Sequence, residues 1–147
     1  MVTVDAREIT LHAPQEYRCA EIETGPYPAF PTDLHPQLAA LFAIGGRATG
    51  TGRVVERVWQ SRFRYLDELA KMGAAFSLRE SIATVTPAPL HAAKMRAPDL
   101  RGGAALLIAA LATKGESEIT NAALLRRGYE HLEAKLQALG ARIRVLG

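Results

Sequence analysis

Leu69-Ala70-Lys71-Met72-Gly73-Ala74 returns near the end of the chain as Leu136-Gln137-Ala138-Leu139-Gly140-Ala141. Glycine takes the left-handed conformation that ends a helix at little cost. Each stretch therefore reads as a helix stop leading into a strand, Ala75-Phe76-Ser77-Leu78 after the first and Arg142-Ile143-Arg144-Val145 after the second. Upstream of each, an aspartate opens an apolar helical pattern. Asp33 precedes Leu34, Leu38, Leu41 and Phe42; Asp99 precedes Leu100, Ala104, Leu107, Ile108 and Leu111. Those spacings put the apolar residues on one helix face, and both aspartates suit an N-cap. Gly45-Gly46 and Gly115 stop the two helices, and strand-like runs follow at Arg53–Val58 and Ser117–Thr120. The second helices are expected at about Arg64–Met72 and Gly128–Leu139, the latter with a core stripe of Tyr129, Leu132, Leu136 and Leu139.

The pattern is an internal repeat, the mark of stacked units that share a core. After the first copy, Arg79-Glu80-Ser81 turns into a return strand, Ile82–Val85; the second copy reaches Gly147 before any such strand. Val2–Val4 and Glu8–Leu11 read as a hairpin, the counterpart of that return strand in a preceding unit. The unit is β-α-β-α-β-β, an α/β (α+β) architecture with helices layered on a sheet. The chain divides into 1–32, the end of one unit, 33–98, a full unit, and 99–147, a second.

Composition narrows the function. Of the 147 residues 48% are apolar and the net charge is only +3, which excludes intrinsic disorder. No apolar run approaches the ~18 residues of a membrane span, and the N-terminus lacks a signal-peptide pattern, so the cytoplasm is the expected compartment. A lone cysteine, Cys19, makes neither an internal disulfide nor a zinc site, and reads as a small buried hydrophobe in a strand. Residues 1–94 hold ten basic and ten acidic side chains and residues 95–147 eight and five, so the charge excess lies in the C-terminal third. Without a basic stripe interleaved with aromatics, that excess does not point to nucleic acid.

Several stretches carry a resemblance in matching order: Thr24-Gly25-Pro26-Tyr27-Pro28-Ala29-Phe30-Pro31-Thr32-Asp33-Leu34, Ser61-Arg62-Phe63, Glu68–Ala74, Asp99-Leu100-Arg101 and Arg127-Gly128-Tyr129-Glu130 through Ala141. Together they resemble the enolpyruvyl transferase family, in particular its members that act on UDP-N-acetylglucosamine in peptidoglycan synthesis. The resemblance covers nearly the whole chain and corresponds to the C-terminal part of such an enzyme. It implies the family's inside-out barrel of repeated units, here two units plus the end of a third. It implies phosphoenolpyruvate and UDP-N-acetylglucosamine as substrates, and no metal or organic cofactor. The family's opposing domain, with its mobile catalytic-cysteine loop, has no counterpart here, and Cys19 does not match that cysteine. The isolated chain is therefore expected to be inactive, with self-association or a separate chain carrying the missing domain as the ways to complete it. A stand-alone, non-catalytic module binding an anion or a nucleotide sugar is the alternative.

The reaction adds a sugar hydroxyl across the enol double bond and then expels phosphate. It needs a base for the hydroxyl proton, an acid for the enol methylene, and cations for a compact, multiply charged anion. The resemblance places Asp33 as that base and Val58 at the nucleotide sugar. Arg62, Arg101 and Arg127 fall around phosphoenolpyruvate, each near an expected helix start, and Asp99 arranges the basic residues. The chain departs from the family pattern at Trp59-Gln60, Gly102-Gly103 and Arg126.

Overall fold

Two parallel crossovers, each made by one helix, organise the chain; the computed structural model describes residues 2–146. The expected hairpin forms first, β1 (Val2–Val4) antiparallel to β2 (Ile9–Leu11). Asp5 turns it, its Oδ1 accepting from the amides of Arg7 at 2.7 Å and Glu8 at 2.8 Å. Next come β3 (Tyr17–Arg18), β4 (Glu21–Glu23), α1 (His35–Ala43), β5 (Ala48–Thr49) and β6 (Gly52–Val55). Parallel neighbours need a crossover, and α1 provides it: β3 pairs with β5, and β4 with β6, Ile22 opposite Val54. A 3-10 turn (Gln60–Phe63) runs into α2 (Arg64–Ala70), and the hairpin β7 (Ala75–Arg79) and β8 (Ile82–Thr86) completes a sheet ordered β4-β6-β8-β7.

The arrangement then recurs. β9 (Lys94–Arg96), α3 (Leu100–Leu111) and β10 (Glu118–Thr120) form a second parallel crossover, Met95 opposite Ile119. A 3-10 turn (Ala122–Arg127) and α4 (Leu132–Ala138) follow, as the first turn and α2 follow β6. No described helix is long and apolar enough to cross a membrane.

The helices bury only part of the faces expected: Phe42 and Ala104 are buried, and Leu38 and Ile108 pack against the core. α1 buries His35, Pro36, Ala39, Ala40, Phe42 and Ala43, leaving Leu34 and Leu41 exposed. α3 buries Gly102, Gly103, Ala104, Ala105, Leu106 and Ala109, leaving Leu111 exposed and Leu107 and Ile108 half-buried. α1 and α3 pack on each other, and small side chains at the contact let two helix axes approach closely. Ala39, Ala40, Ala43, Ala105 and Ala109 are all fully buried. Around them the core is filled by Phe42, Val54, Phe63, Tyr65, Leu66, Leu69, Met72, Val85, Met95 and Leu106.

The C-terminal end also differs. His131 takes a left-handed conformation, φ +46°, so α4 starts at Leu132 rather than Gly128. Its leucines make no core stripe: α4 buries none of its residues, and Leu139 is 84% exposed. The strand expected at Arg142–Val145 is not formed, because no described strand lies beside it to complete a ladder. Cys19 is buried as expected but sits between β3 and β4, its amide donating to the Thr49 carbonyl at 2.8 Å.

Candidate functional site

Asp33 ends the turn before α1 without capping the helix. The N-cap position is Leu34, with no side-chain cap, and Pro36 occupies the first turn, where a missing N–H costs nothing. The Asp33 carboxylate is thereby free for other partners. Arg101 Nη2 donates to Asp33 Oδ2 at 2.6 Å, and Arg62 Nη1 donates to Oδ1. The bond from Arg101 holds the Asp33 carboxyl below the usual carboxylate range against a smaller opposing effect of burial, and Arg62 adds to the lowering. Arg62 Nη1 also donates to Thr32 Oγ1 at 3.2 Å, and its guanidinium lies 5.5 Å from the centre of the Trp59 ring, a cation–π distance.

Asp99 does cap its helix, Oδ1 accepting from the Gly102 amide at 2.7 Å. That cap fixes the first turn of α3, which carries Arg101. The glycines after Arg101 are needed by the packing. A Cβ on Gly102 would stand 2.7 Å from Pro98 Cγ, and one on Gly103 would stand 3.1 Å from Ala97 Cβ. This departure from the family pattern therefore seats the arginine's helix close to its neighbours.

Val58 is half exposed just past β6, its amide donating to Glu56 Oε1 at 2.6 Å. Arg127 ends a 3-10 turn rather than opening a helix, and it does not join the Asp33 cluster. It lines an open hollow of about 650 Å³ with Arg126, Tyr129, Glu130 and His131. Tyr129 ties that segment to α1, its hydroxyl 3.4 Å from the Gln37 amide. Turned to satisfy both ends, that amide donates to the Asp33 carbonyl at 3.1 Å. Three of the proposed residues, Asp33, Arg62 and Arg101, thus meet directly; Arg127 faces a neighbouring hollow.

Behind the cluster lies a buried polar network that the sequence does not reveal. Glu56 and His35 are both fully buried. His35 Nε2 lies 3.0 Å from Glu56 Oε2 without an aligned hydrogen bond, and Nδ1 lies 3.3 Å from the Tyr65 hydroxyl. Burial pushes the His35 imidazole down and the Tyr65 hydroxyl up, so both are neutral near pH 7. Burial also pushes Glu56 up, but the hydrogen bonds it accepts outweigh that and keep it ionised. A charged residue at the end of a strand reads as solvated surface; only the fold buries it.

Residues 2–136 match the family model for EPSP synthase (3-phosphoshikimate 1-carboxyvinyltransferase). UDP-N-acetylglucosamine 1-carboxyvinyltransferase of Thermus thermophilus is 48% identical over 122 residues, which is 83% of this chain and 28% of that enzyme. The enzyme of the same name from Halothermothrix orenii is 43% identical over 127 residues, 86% of this chain and 30% of that enzyme. Among solved structures, the enolpyruvyl transferase NikO from Streptomyces tendae is similar with a TM-score of 0.88 and 36% identity, over 98% of this chain and 33% of that one. The chain thus spans about a third of the length of these relatives. A family match over most of its residues, and a fold shared with a solved enolpyruvyl transferase, show that the chain belongs to the EPSP synthase family of enolpyruvyl transferases.

Proposed function

We propose that this chain forms one wall of an enzyme that moves the enolpyruvyl group of phosphoenolpyruvate onto the 3-hydroxyl of UDP-N-acetylglucosamine, a cytoplasmic step of peptidoglycan synthesis. The observation that carries the reading is the convergence of Arg62 and Arg101 on Asp33. An aspartate between two guanidinium groups is a proton acceptor placed beside an anion holder. In the reaction Asp33 takes the hydroxyl proton as the sugar oxygen attacks C2 of phosphoenolpyruvate. Arg62 and Arg101 hold the phosphate and carboxylate, bidentate recognition that suits guanidinium. Arg127 closes on the same anion from its hollow, Val58 borders the nucleotide sugar, and Asp99 steadies Arg101 by capping its helix. The methylene takes a proton in that addition and becomes a methyl; the methyl then gives up a proton as phosphate leaves, which restores the double bond. Cys19, buried against the Phe42 carbonyl at 3.9 Å, is no candidate for that acid.

In this reading 1–32 closes a preceding unit, and 33–98 and 99–147 are successive units. Each boundary is straddled by an equivalent parallel pair, β4 with β6 and β9 with β10. The opposing wall comes from the rest of the enzyme, so a site open on one side neither excludes water nor grips both substrates.

A titration of the 147-residue chain tests this. With both substrates it should release no phosphate above a blank. It should bind phosphoenolpyruvate weakly, since exposed ion pairs each contribute only ~0–1 kcal/mol. NMR shifts should show that Arg101→Ala weakens this binding, whereas Arg144→Ala does not, because Arg144 pairs with exposed Glu116 away from the site. Equal losses from the two variants would reduce the site to general basicity and refute the reading.

A further inference from the structure

We propose that Glu56 is a positioning residue for the Asp33–Arg62 pair, clamping the turn before α1 to the segment that leaves β6. The clamp itself stands on geometry, and its bearing on catalysis rests on the function proposed above. Glu56 is fully buried, and its two oxygens gather partners from both segments. Oε1 accepts from Thr24 Oγ1 at 2.7 Å, from the Val58 amide at 2.6 Å and from the Trp59 amide at 2.9 Å. Oε2 accepts from Thr32 Oγ1 at 2.7 Å and lies 3.0 Å from His35 Nε2. Thr32 and His35 flank Asp33 in the sequence; Val58 and Trp59 lead into the turn that carries Arg62.

The direction of these bonds matters. A threonine hydroxyl has one proton and two lone pairs. Thr32 gives that proton to Glu56, so its oxygen is fixed as an acceptor, and Arg62 Nη1 donates to it while also donating to Asp33. A chain of polarity therefore runs from Arg62 through Thr32 to Glu56, with Asp33 on the same guanidinium nitrogen. Burying a carboxylate is costly unless hydrogen bonds offset it. A strand could be pinned to a turn by apolar packing alone. Placing a carboxylate there sets the orientation of one hydroxyl, and through it one arginine.

The test uses the 147-residue chain, inorganic phosphate and the emission of Trp59, the chain's only tryptophan. Trp59 reports on the clamp twice, through its amide on Glu56 and through Arg62 beside its ring. Thr32→Val removes the relay at a half-buried position. It should keep the fold, shift Trp59 emission and weaken phosphate binding about fivefold, the scale of one or two exposed ion pairs. Glu56→Gln should keep the fold and still weaken phosphate binding. Its carbonyl keeps the Oε1 donors, but its amide nitrogen, in place of Oε2, donates to Thr32 Oγ1, so the hydroxyl proton is no longer directed away from Arg62. Glu56→Ala should lose both signals. Should it not fold, Thr32→Val and Glu56→Gln still decide the matter. Thr32→Val with unchanged emission and unchanged affinity would overturn the proposal, as would wild-type affinity in a folded Glu56→Gln chain. If wild type binds no phosphate, the proposed function falls, while the emission arm still judges the clamp.

Discussion

Tyr65→Ala should strip away much of the chain's stability. Tyr65 lies in α2 with no exposed surface, packed among His35, Phe63 and the first turn of α3. Truncating a buried aromatic to alanine costs ~3–5 kcal/mol, against a total of ~5–15 kcal/mol for a typical domain. The hydroxyl adds a second loss, since His35 Nδ1, 3.3 Å away, is left in the core without a partner. Tyr65→Phe separates the two effects: it keeps the ring and should cost only ~1 kcal/mol. The turn carrying Arg101 packs on Tyr65 Cβ, where a Cβ on Gly102 would come within 3.1 Å, and both variants keep that atom. Urea denaturation of the wild type and the two variants measures both losses. A Tyr65→Ala midpoint close to wild type would show that the core around α2 is looser than its burial implies.

The punctuation of the fold was legible in the sequence because it is local chemistry. Gly73 and Gly140 read as helix stops and take positive φ just past α2 and α4, +90° and +92°; Gly115 also takes positive φ, +101°, but α3 has already ended at Leu111. Asp99 reads as a cap and is one. The helix faces were not legible, because periodicity marks where apolar residues recur but not what lies opposite. Leucines form the more conspicuous stripe in both α1 and α3, yet the residues without exposed surface there include Ala39, Ala40, Ala43, Ala105 and Ala109. Close approach between two helices selects small residues, which a hydrophobicity pattern ranks below leucine. The strand expected at Arg142–Val145 failed for a related reason: alternation is necessary for a strand, but a neighbour makes it one.

For the site, family resemblance located Asp33, Arg62 and Arg101, and the geometry then joined them. Spacing alone also made Asp33 an N-cap, and here it misled. The two aspartates looked equivalent, yet Pro36 in the first turn of α1 and the pull of two guanidinium groups give Asp33 a different set of partners. Glu56 and His35 escaped notice because their significance is burial. Val54-Val55-Glu56-Arg57 reads as a strand emerging into water, whereas the turn before α1 covers Glu56 with Thr24, Thr32 and His35.

Asp33→Asn should bind inorganic phosphate more tightly than wild type, although it removes the proposed catalytic base. In the free chain the cleft between Arg62 and Arg101 is already filled, by the carboxylate of Asp33 itself. A phosphate ion must compete with that internal anion. Asparagine keeps the shape and one acceptor oxygen but gives up the charge, leaving two guanidinium groups to the ligand. The Asp33 side chain is half exposed, so each pair contributes at most ~1 kcal/mol, and freeing both should tighten phosphate binding by about tenfold at low salt. The gain should shrink as salt rises, since these charges are open to screening. Asp67→Asn, which removes an exposed charge on α2 outside the cluster, is the control and should change little. The same competition would couple binding to chemistry in the complete enzyme. On the function proposed above, as the arginines turned to the substrate's phosphate and carboxylate, Asp33 would lose the bonds that hold its carboxyl below the usual range and would become the stronger base just when the hydroxyl arrives. Weaker phosphate binding in Asp33→Asn than in wild type would mean that Asp33 organises the arginines rather than occupying their place, and this coupling would have no physical basis.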